Sequence, residues 1–223
     1  MVDALMAVDR DEIIRQFAEL WWAERQNTVF RNRFLGIPTW QHPFDAWATQ
    51  EIICEVRPDL IVECGSNLGG SALMWSTLLE QINPNGRIVT IDVERRVTNA
   101  RLFPAFERIE ALVGSSIDPE VVAKVRALAA GKRTLVILDS DHARDHVRAE
   151  LDTYWSVVTP GSYLIVQDGV VNGHPVDPDH GPGPFEAVAE FLAANPGKFA
   201  VDTDRERMLF TFNPSGFLRR IAE

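Results

Sequence analysis

The sequence predicts an α/β protein built on a Rossmann-like, doubly wound and mostly parallel sheet. Apolar runs of strand length alternate with segments of helical periodicity from residue 58 onward, which is the pattern of successive βα units. One such run, Leu60–Glu63, enters a glycine-rich turn, and a helical segment, Gly70–Ile82, begins directly after it. Because ligands of such sheets bind outside the carboxyl ends of the strands, we expect the functional site there.

A helical region is expected to precede the sheet. A first helix is predicted for Asp9–Asn27, where the aspartate can cap the helix. The stretch 34–43 contains prolines and is expected to lack regular structure. A second helix is predicted for Phe44–Val56. We therefore expect residues 1–57 to form a helical extension packed on a core of residues 58–223.

The core is predicted from the remaining pattern. Strands are expected near Leu60–Glu63, Arg87–Asp92, Ile109–Val113, Thr134–Asp139 and Tyr163–Gln167. Helices are expected near Gly70–Ile82, Pro119–Ala130, Ala143–Val158 and Phe185–Ala194. Two short strands near the end of the chain, Phe199–Thr203 and Met208–Phe212, are expected to add an antiparallel strand at the edge of the sheet.

Composition and charge exclude several classes of protein. The 223 residues are 46% hydrophobic, which suits one globular domain with a full core. A formal charge of −10 without basic runs argues against nucleic acid as a partner. No signal peptide is recognised, and no apolar stretch approaches the roughly 18 residues of a membrane span. The two cysteines, Cys54 and Cys64, lack metal-ligand spacing, so we expect reduced thiols and a cytoplasmic location.

The glycine-rich turn is the first candidate binding site. Glycines allow positive φ and close approach of a ligand, and the following helix offers free N–H groups. Its acidic-x-Gly-x-x-x-Gly spacing differs from the Gly-x-Gly-x-x-Gly of dinucleotide sites, which conflicts with an NAD-dependent reductase. A cationic nucleoside such as S-adenosylmethionine fits better, and an ordinary strand–helix turn is the alternative. The candidate cofactor-binding residues of this turn are Glu63, Gly65, Ser66, Asn67, Gly69 and Ser71.

Polar residues also end the later strands. Asp92 ends the second strand, where a carboxylate can accept hydrogen bonds from both ribose hydroxyls of an adenosine. Ser115 and Ser116 follow the third strand and could contact the adenine edge. Aspartate and serine are also common in turns and helix caps, so the recurrence at successive strand ends supports the prediction more than any single residue does.

Asp139 and Asp168 are the metal candidates, because they end strands that we expect to be neighbours. Two carboxylates so close need a cation, and oxygen ligands favour Mg²⁺ or Mn²⁺. His142 is the candidate general base, since its ordinary pKa lies near neutrality; a surface histidine is the alternative. His142 and His146 are four residues apart on the expected helix, but a zinc site would need a further cysteine or histidine, so His146 is expected to be structural.

The connection from Asp168 to Pro184 is longer than the roughly 12 residues of ordinary loops, and its prolines predict a stiffened loop over the site. Within it, His174, Asp177 and His180 could contact a polyhydroxylated acceptor. They could equally cap or solvate the loop.

Together these motifs resemble the family that groups cephalosporin hydroxylases with bacterial rhamnosyl O-methyltransferases, and the resemblance covers nearly the whole chain. It includes Glu63-x-Gly65-x-x-x-Gly69-Gly70-Ser71-Ala72, the approach Trp40…Gln50-Glu51, residues 114–119 and residues 138–142. The most specific segments are Asn172-Gly173-His174-Pro175-Val176, Gly181-Pro182-Gly183-Pro184 and Asn213-Pro214-Ser215-Gly216-Phe217-Leu218.

The resemblance implies an S-adenosylmethionine-dependent, Mg²⁺-assisted O-methyltransferase with a class I methyltransferase fold, usually a homo-oligomer. Its acceptor would be a hydroxyl of a rhamnoside- or mannoside-like sugar, free or in a glycosylated metabolite. In this family the metal is held by the aspartate of the fourth-strand motif and a Glu-Asp pair, which correspond here to Asp139 and to Gln167-Asp168. The glutamine removes one negative charge, so we expect weaker metal binding. We also expect Asp139 and His142 to contact the cofactor, and Trp40 and Asp141 to contact the acceptor.

Two other functions stay open at this point. Because Gln167 weakens the metal site, the chain could be a non-catalytic partner that binds S-adenosylmethionine without turnover. A β-lactam tailoring enzyme, which the name of the family suggests, ranks lower, since no pair of histidines and a carboxylate has the spacing of an iron site.

Overall fold

The computed structural model describes residues 9–94, 96–97 and 99–221. Its helices are α1 (Arg10–Ala23), α2 (Pro43–Val56), α3 (Gly70–Ile82), α4 (Pro119–Ala129), α5 (Arg144–Tyr154) and α6 (Pro184–Ala194). Its strands are β1 (Arg33–Phe34), β2 (Ile37–Pro38), β3 (Leu60–Cys64), β4 (Arg87–Asp92), β5 (Ile109–Val113), β6 (Thr134–Leu138), β7 (Tyr163–Val166), β8 (Phe199–Val201) and β9 (Phe217–Arg220).

The large sheet has seven strands in the order β5-β4-β3-β6-β7-β9-β8. Strands β3 to β7 pair in parallel, whereas β9 pairs antiparallel with both β7 and β8. The predicted doubly wound and mostly parallel sheet is confirmed. Since β6 lies between β3 and β7, the carboxyl ends of these three strands are neighbours.

Apolar side chains cover both faces of this sheet. Alternate residues of a strand point to opposite faces, so Val62 and Val136 pack toward α4, α5 and α6, while Ile61 and Ile137 pack toward α2 and α3. Burial on both faces explains why the strands are continuous apolar runs. Helix α2 belongs to the same apolar layer as α3, and the proposed division at residue 57 remains a prediction.

Helix α1 begins where its capping residue predicts. Asp9 Oδ1 accepts hydrogen bonds from the backbone N–H groups of Asp11 at 3.1 Å and Glu12 at 3.4 Å. The helix ends earlier than expected, at Ala23, and a series of turns follows. Ala18 packs with Val170, Phe210 and Phe212 in a separate apolar cluster, which ties α1 to the loop that follows β7 and to the segment before β9.

The expectation of no regular structure over residues 34–43 is wrong in part. Arg33 pairs with Pro38, and Phe34 with Ile37, in a small antiparallel hairpin. Its turn residues, Leu35 and Gly36, have φ values of 49° and 83°, the left-handed conformation that tight hairpin turns require. Pro38 is tolerated in this pair because proline has no backbone N–H to donate, and an edge strand does not need that donor on its outer side.

The predicted strand Met208–Phe212 is also wrong. That segment is irregular, and the strand that completes the sheet is β9, which lies inside the sheet, while β8 forms the edge. The alternating apolar residues of the segment face α1 and the ring of His42, not the sheet. In β9, by contrast, Phe217 and Leu218 are both fully buried, because β9 is covered on both faces.

The remaining expectations concern the cysteines, membrane-spanning helices and the oligomeric state. Both cysteines are free thiols, with Cys54 exposed and Cys64 buried. Among the helices of the described residues, none combines the length and apolar character needed to cross a bilayer. The homo-oligomer that the resemblance implies remains a prediction.

The turn from β3 to α3 depends on a glycine for two reasons. Gly65 has a φ of +99°, and a Cβ at this position would lie 1.8 Å from the backbone oxygen of Asp139. The turn therefore packs directly against the backbone at the end of β6.

We predict that Phe217→Ala lowers the free energy of unfolding by about 3–5 kcal/mol, because it leaves a large cavity in a fully packed layer. Ile221→Ala, at a position that is 56% exposed just beyond β9, should change it by less than about 0.5 kcal/mol. Urea unfolding of both variants measures these values. Equal effects would contradict the placement of β9 inside the sheet.

We predict that Gly65→Ala destabilises the protein by about 3 kcal/mol or more, since the backbone of β6 must move. Gly131→Ala is the matched control, because Gly131 also has positive φ but has no atom within 4 Å of the added Cβ. Strain alone should cost the control about 1 kcal/mol. A Gly65→Ala variant as stable as the control would show that the close approach does not constrain the turn.

Candidate active site

A cavity of about 610 Å³ opens above the carboxyl ends of the parallel strands. One part of its wall is polar, and the other part is aromatic. The predicted site residues that line it are Trp40, Gly65, Ser66, Asn67, Ser71, Asp92, Ser115, Ser116, Asp139, Asp141, His142, Asp168 and His180. The topology therefore brings together residues from most of the predicted strand ends.

The glycine-rich turn forms a cradle beside Asp92. The backbone N–H of Asn67 donates to Asp92 Oδ2 at 2.8 Å, and the hydroxyls of Ser66 and Thr90 lie 2.7 Å apart. A side chain on Gly70 would meet the backbone oxygen of Pro38 at 2.1 Å, so the start of α3 is pressed against the β2 segment. These contacts fix a carboxylate and the N-terminus of a helix in the cavity lining.

Glu63 does not line the cavity. Its side chain is buried, and its Oε2 accepts a hydrogen bond from the Thr90 hydroxyl at 2.6 Å. Burial raises the pKa of Glu63 to about 7, although the hydrogen bonds from Thr90 and Ser71 act in the opposite direction. Glu63 therefore supports the turn from behind.

Ser116 belongs to a buried polar network whose centre, Glu150, the sequence analysis missed. Glu150 is fully buried on α5, and its Oε1 accepts hydrogen bonds from the hydroxyls of Ser116 and, at 2.7 Å, Ser140. His146 Nε2 lies 3.4 Å from the same oxygen, and this contact raises the pKa of His146. The i,i+4 spacing of His146 and Glu150 on a helix was the available signal.

Asp139, His142 and Asp168 form the chemical centre of the site. His142 Nε2 lies 3.0 Å from Asp168 Oδ2 and 3.6 Å from Asp139 Oδ1, and the ligand atoms of all three residues lie within 4.8 Å of one another. His142 precedes α5 instead of lying on it, so it does not form a helical pair with His146.

The electrostatics of this cluster are those of a cation site. Burial raises the pKa of Asp139 to about 6, and the nearby Asp168 charge acts in the same direction. Burial lowers the pKa of His142, but its contacts with Asp168 and Asp139 outweigh that effect and raise the pKa well above its usual value. Two carboxylates at this separation thus favour a positive charge between them, either a proton on His142 or a metal ion.

Gln41 also contacts Asp139, and the sequence analysis missed it. Gln41 Nε2 donates to Asp139 Oδ2 at 3.0 Å and to Gln167 Oε1 at 2.9 Å, and Gln167 Nε2 donates to Gln41 Oε1 at 3.0 Å. Gln167 is buried and does not line the cavity. The only sequence signal was the position of Gln41 directly after Trp40.

The terminal Asn213 motif supports the Asp168 end of the cluster. Asp168 has a φ of 57°, and its backbone N–H donates to Asn213 Oδ1 at 3.0 Å. A side chain on Gly216 would lie 2.2 Å from the backbone oxygen of Val166. The motif before β9 therefore holds the end of β7 in place and does not itself reach the cavity.

Aromatic side chains line the other part of the cavity. The rings of Phe30 and Trp40 have centroids 4.7 Å apart, and Trp40 is half exposed. Trp22 and Phe212 continue this wall from α1 and from the segment before β9. His180, whose Nε2 lies 3.3 Å from the backbone oxygen of His142, joins the loop after β7 to the site.

Several predicted site residues lie away from the cavity: Glu63, Gly69, Gln167, His174 and Asp177. His174 Nε2 lies 2.7 Å from Glu186 and its ring stacks on Phe185, so it anchors the loop to α6. Gly69 caps α3 with a φ of 82°. The backbone oxygen of Asp177 accepts hydrogen bonds within the loop, from the N–H groups of Asn172 and His180.

Comparisons with known proteins agree with this architecture. Three solved structures of CmcI match this chain with TM-scores of 0.62 to 0.67, at 16–20% sequence identity. The CmcI structure with Mg and S-adenosylmethionine has the TM-score of 0.67, and the match covers 86% of this chain and 78% of that chain. The O-methyltransferase TomG of Streptomyces achromogenes, solved with S-adenosylmethionine, is 18% identical, with a TM-score of 0.56 over 94% of this chain and 90% of its own. At these identities the likeness establishes the fold.

Sequence relatives establish the family. The rhamnosyl O-methyltransferase of Mycobacterium bovis (strain BCG / Pasteur 1173P2) is 35% identical over 196 residues, which cover 85% of this chain and 78% of the relative. That of Mycobacterium leprae is 35% identical over 84% of this chain and 82% of its own length. The family model "Rhamnosyl O-methyltransferase/CmcI" matches residues 26–221. The chain therefore belongs to the rhamnosyl O-methyltransferase/CmcI family of S-adenosylmethionine-dependent O-methyltransferases.

Proposed function

We propose that this protein transfers a methyl group from S-adenosylmethionine to a hydroxyl of a rhamnoside- or mannoside-like sugar, with the assistance of a divalent metal ion. The observation that supports this most is the position of Asp139, His142 and Asp168 in the wall of one cavity that also includes the glycine-rich turn. The relatives named rhamnosyl O-methyltransferase support a sugar acceptor.

The polar wall has the groups that an adenosyl ligand needs. Asp92 ends β4 beside the turn, where its carboxylate can accept hydrogen bonds from ribose hydroxyls. Ser115 follows β5 and offers its hydroxyl to a purine edge, whereas the Ser116 hydroxyl already donates to Glu150. The backbone of Gly65 approaches the end of β6, so a ligand on this turn lies close to Asp139. S-adenosylmethionine supplies an electrophilic methyl group on a positively charged sulfur.

The residues at the end of β6 and β7 fit a hard divalent cation. Asp139 and Asp168 offer carboxylate oxygens within reach of one ion, and the nearby His142 Nε2 is buried without a hydrogen-bond partner of good geometry. Carboxylate oxygens with open positions for water suit Mg²⁺ or Mn²⁺. A bound Mg²⁺ supplies Lewis acidity, which lowers the pKa of a hydroxyl in contact with it.

His142 is the residue we assign to proton transfer. The acceptor hydroxyl must lose its proton as its oxygen forms a bond to the methyl carbon and the carbon–sulfur bond breaks, which leaves a neutral thioether. The carboxylates of Asp139 and Asp168 stabilise a proton on His142, and this stabilisation would be lost if the two carboxylates held a divalent cation. His142, which lines the cavity, would then be free to accept the proton.

The aromatic wall suits the acceptor. Sugar rings carry apolar C–H faces that pack on aromatic rings, while their hydroxyls need polar partners at the rim. Phe30 and Trp40 provide the rings, and Asp141 and His180 line the same cavity. This arrangement allows a sugar hydroxyl to approach His142 while the rest of the acceptor lies toward solvent past the half-exposed Trp40.

We predict that Asp168→Ala weakens Mg²⁺ binding by about 100-fold or more, because removing a direct ligand should cost at least as much as removing its supporting contacts. Turnover should then no longer increase when Mg²⁺ is added. Asp179→Ala, which removes the same charge from an exposed position of the loop after β7, is the matched control. An undiminished Mg²⁺ response in Asp168→Ala would contradict the metal assignment.

We predict that His142→Ala lowers turnover by about 10²–10⁴-fold, the usual contribution of general-base catalysis. Affinity for S-adenosylmethionine should stay nearly unchanged. The measurement is transfer of labelled methyl from S-adenosylmethionine to methyl α-L-rhamnopyranoside, combined with a binding titration of the donor. Wild-type turnover by this variant would remove His142 from the mechanism.

A further inference from the structure

A buried pair of glutamine amides lies next to the metal candidates. Gln41 precedes α2 and Gln167 follows β7, and the two side chains exchange hydrogen bonds of 2.9 and 3.0 Å. Gln41 and Gln167 are each only 5% exposed, so little of either residue is accessible to water. The remaining N–H of Gln41 donates to Asp139 Oδ2 at 3.0 Å.

The contact with Asp139 determines which amide group donates and which accepts in each hydrogen bond of this pair. An ionised carboxylate only accepts hydrogen bonds, so Gln41 must turn its Nε2 toward Asp139. The Oε1 of Gln41 then needs a donor, and Gln167 provides one through its Nε2. A carboxylate at position 167 could not donate this bond, which explains an amide there.

These bonds also determine which oxygens remain for a cation. The amide of Gln41 occupies Asp139 Oδ2 and leaves Oδ1 on the side of His142, 3.6 Å from its Nε2. The Oε1 of Gln167 already accepts a hydrogen bond from Gln41. Of these side chains, the carboxylates of Asp139 and Asp168 line the cavity, whereas Gln167 does not.

We infer that Gln41 and Gln167 are positioning residues that orient the Asp139 carboxylate for a divalent cation, and that Gln167 is not itself a metal ligand. The inference rests on the proposed metal site. It assigns to position 167 a supporting hydrogen bond in place of the coordination expected from the family pattern. Supporting contacts of this kind typically change metal affinity by about 10–100-fold.

The test is a double-mutant cycle on metal affinity. We would measure free Mn²⁺ by electron paramagnetic resonance in titrations of the unaltered protein, Gln41→Leu, Gln167→Leu and the double variant. Since the two amides act as one unit, each single variant should weaken Mn²⁺ binding by about 10-fold, and the double variant should bind no more weakly than either single variant. Unchanged affinity in Gln41→Leu, with a large loss in Gln167→Leu, would identify Gln167 as a ligand and overturn the inference.

Two control variants separate this role from a general loss of stability. Gln81→Leu makes the same chemical change at an exposed position of α3 and should leave Mn²⁺ affinity unchanged. Ile53→Val removes a methyl group from the fully buried face of α2 and should lower the melting temperature without weakening Mn²⁺ binding. If Ile53→Val weakens binding as much as Gln41→Leu does, the positioning role is contradicted. Absence of Mn²⁺ binding by the unaltered protein would instead contradict the metal site itself, and the inference with it.

Discussion

The site depends on one constraint, the parallel pairing of β6 with β3 on one side and β7 on the other. This pairing places the turn after β3, Asp139 after β6 and Asp168 after β7 at one edge of the sheet. The turn fits only because Gly65 has no side chain to meet the Asp139 backbone. A methyl donor on the turn and a cation held by Asp139 and Asp168 would therefore be neighbours.

Placing two carboxylates so close has an electrostatic cost that the surrounding residues reduce. His142 lies between Asp139 and Asp168, and Gln41 donates a hydrogen bond to the far oxygen of Asp139. Burial still raises the pKa of Asp139 to about 6, so the cluster favours added positive charge. The same two carboxylates contact the titratable Nε2 of His142, whose residue lines the cavity.

The sequence predicts those parts of the fold that local pattern controls. The apolar runs of β3 to β7, the turn at Gly65 and the polar strand ends are all local patterns. The full strand order is not local, since β6 pairs with β3 and not with the preceding strand β5. The segment 208–212 misleads because its aromatic residues alternate as in a strand but pack on α1. Gln41 and Gln167 are 126 residues apart, so their contact depends on tertiary packing that no local pattern encodes. The helical spacing of His146 and Glu150 is local, but the contacts of Glu150 with Ser116 and Ser140 also depend on tertiary packing.

The most direct test of this account is calorimetric titration of the unaltered protein with S-adenosylmethionine and then with Mg²⁺. We predict that the protein binds the donor, and that Mg²⁺ then binds with a heat signal of its own, because the carboxylates at the ends of β6 and β7 line the donor cavity. Binding of the donor without a response to Mg²⁺ would contradict metal assistance. Failure to bind the donor would contradict the proposed site as a whole.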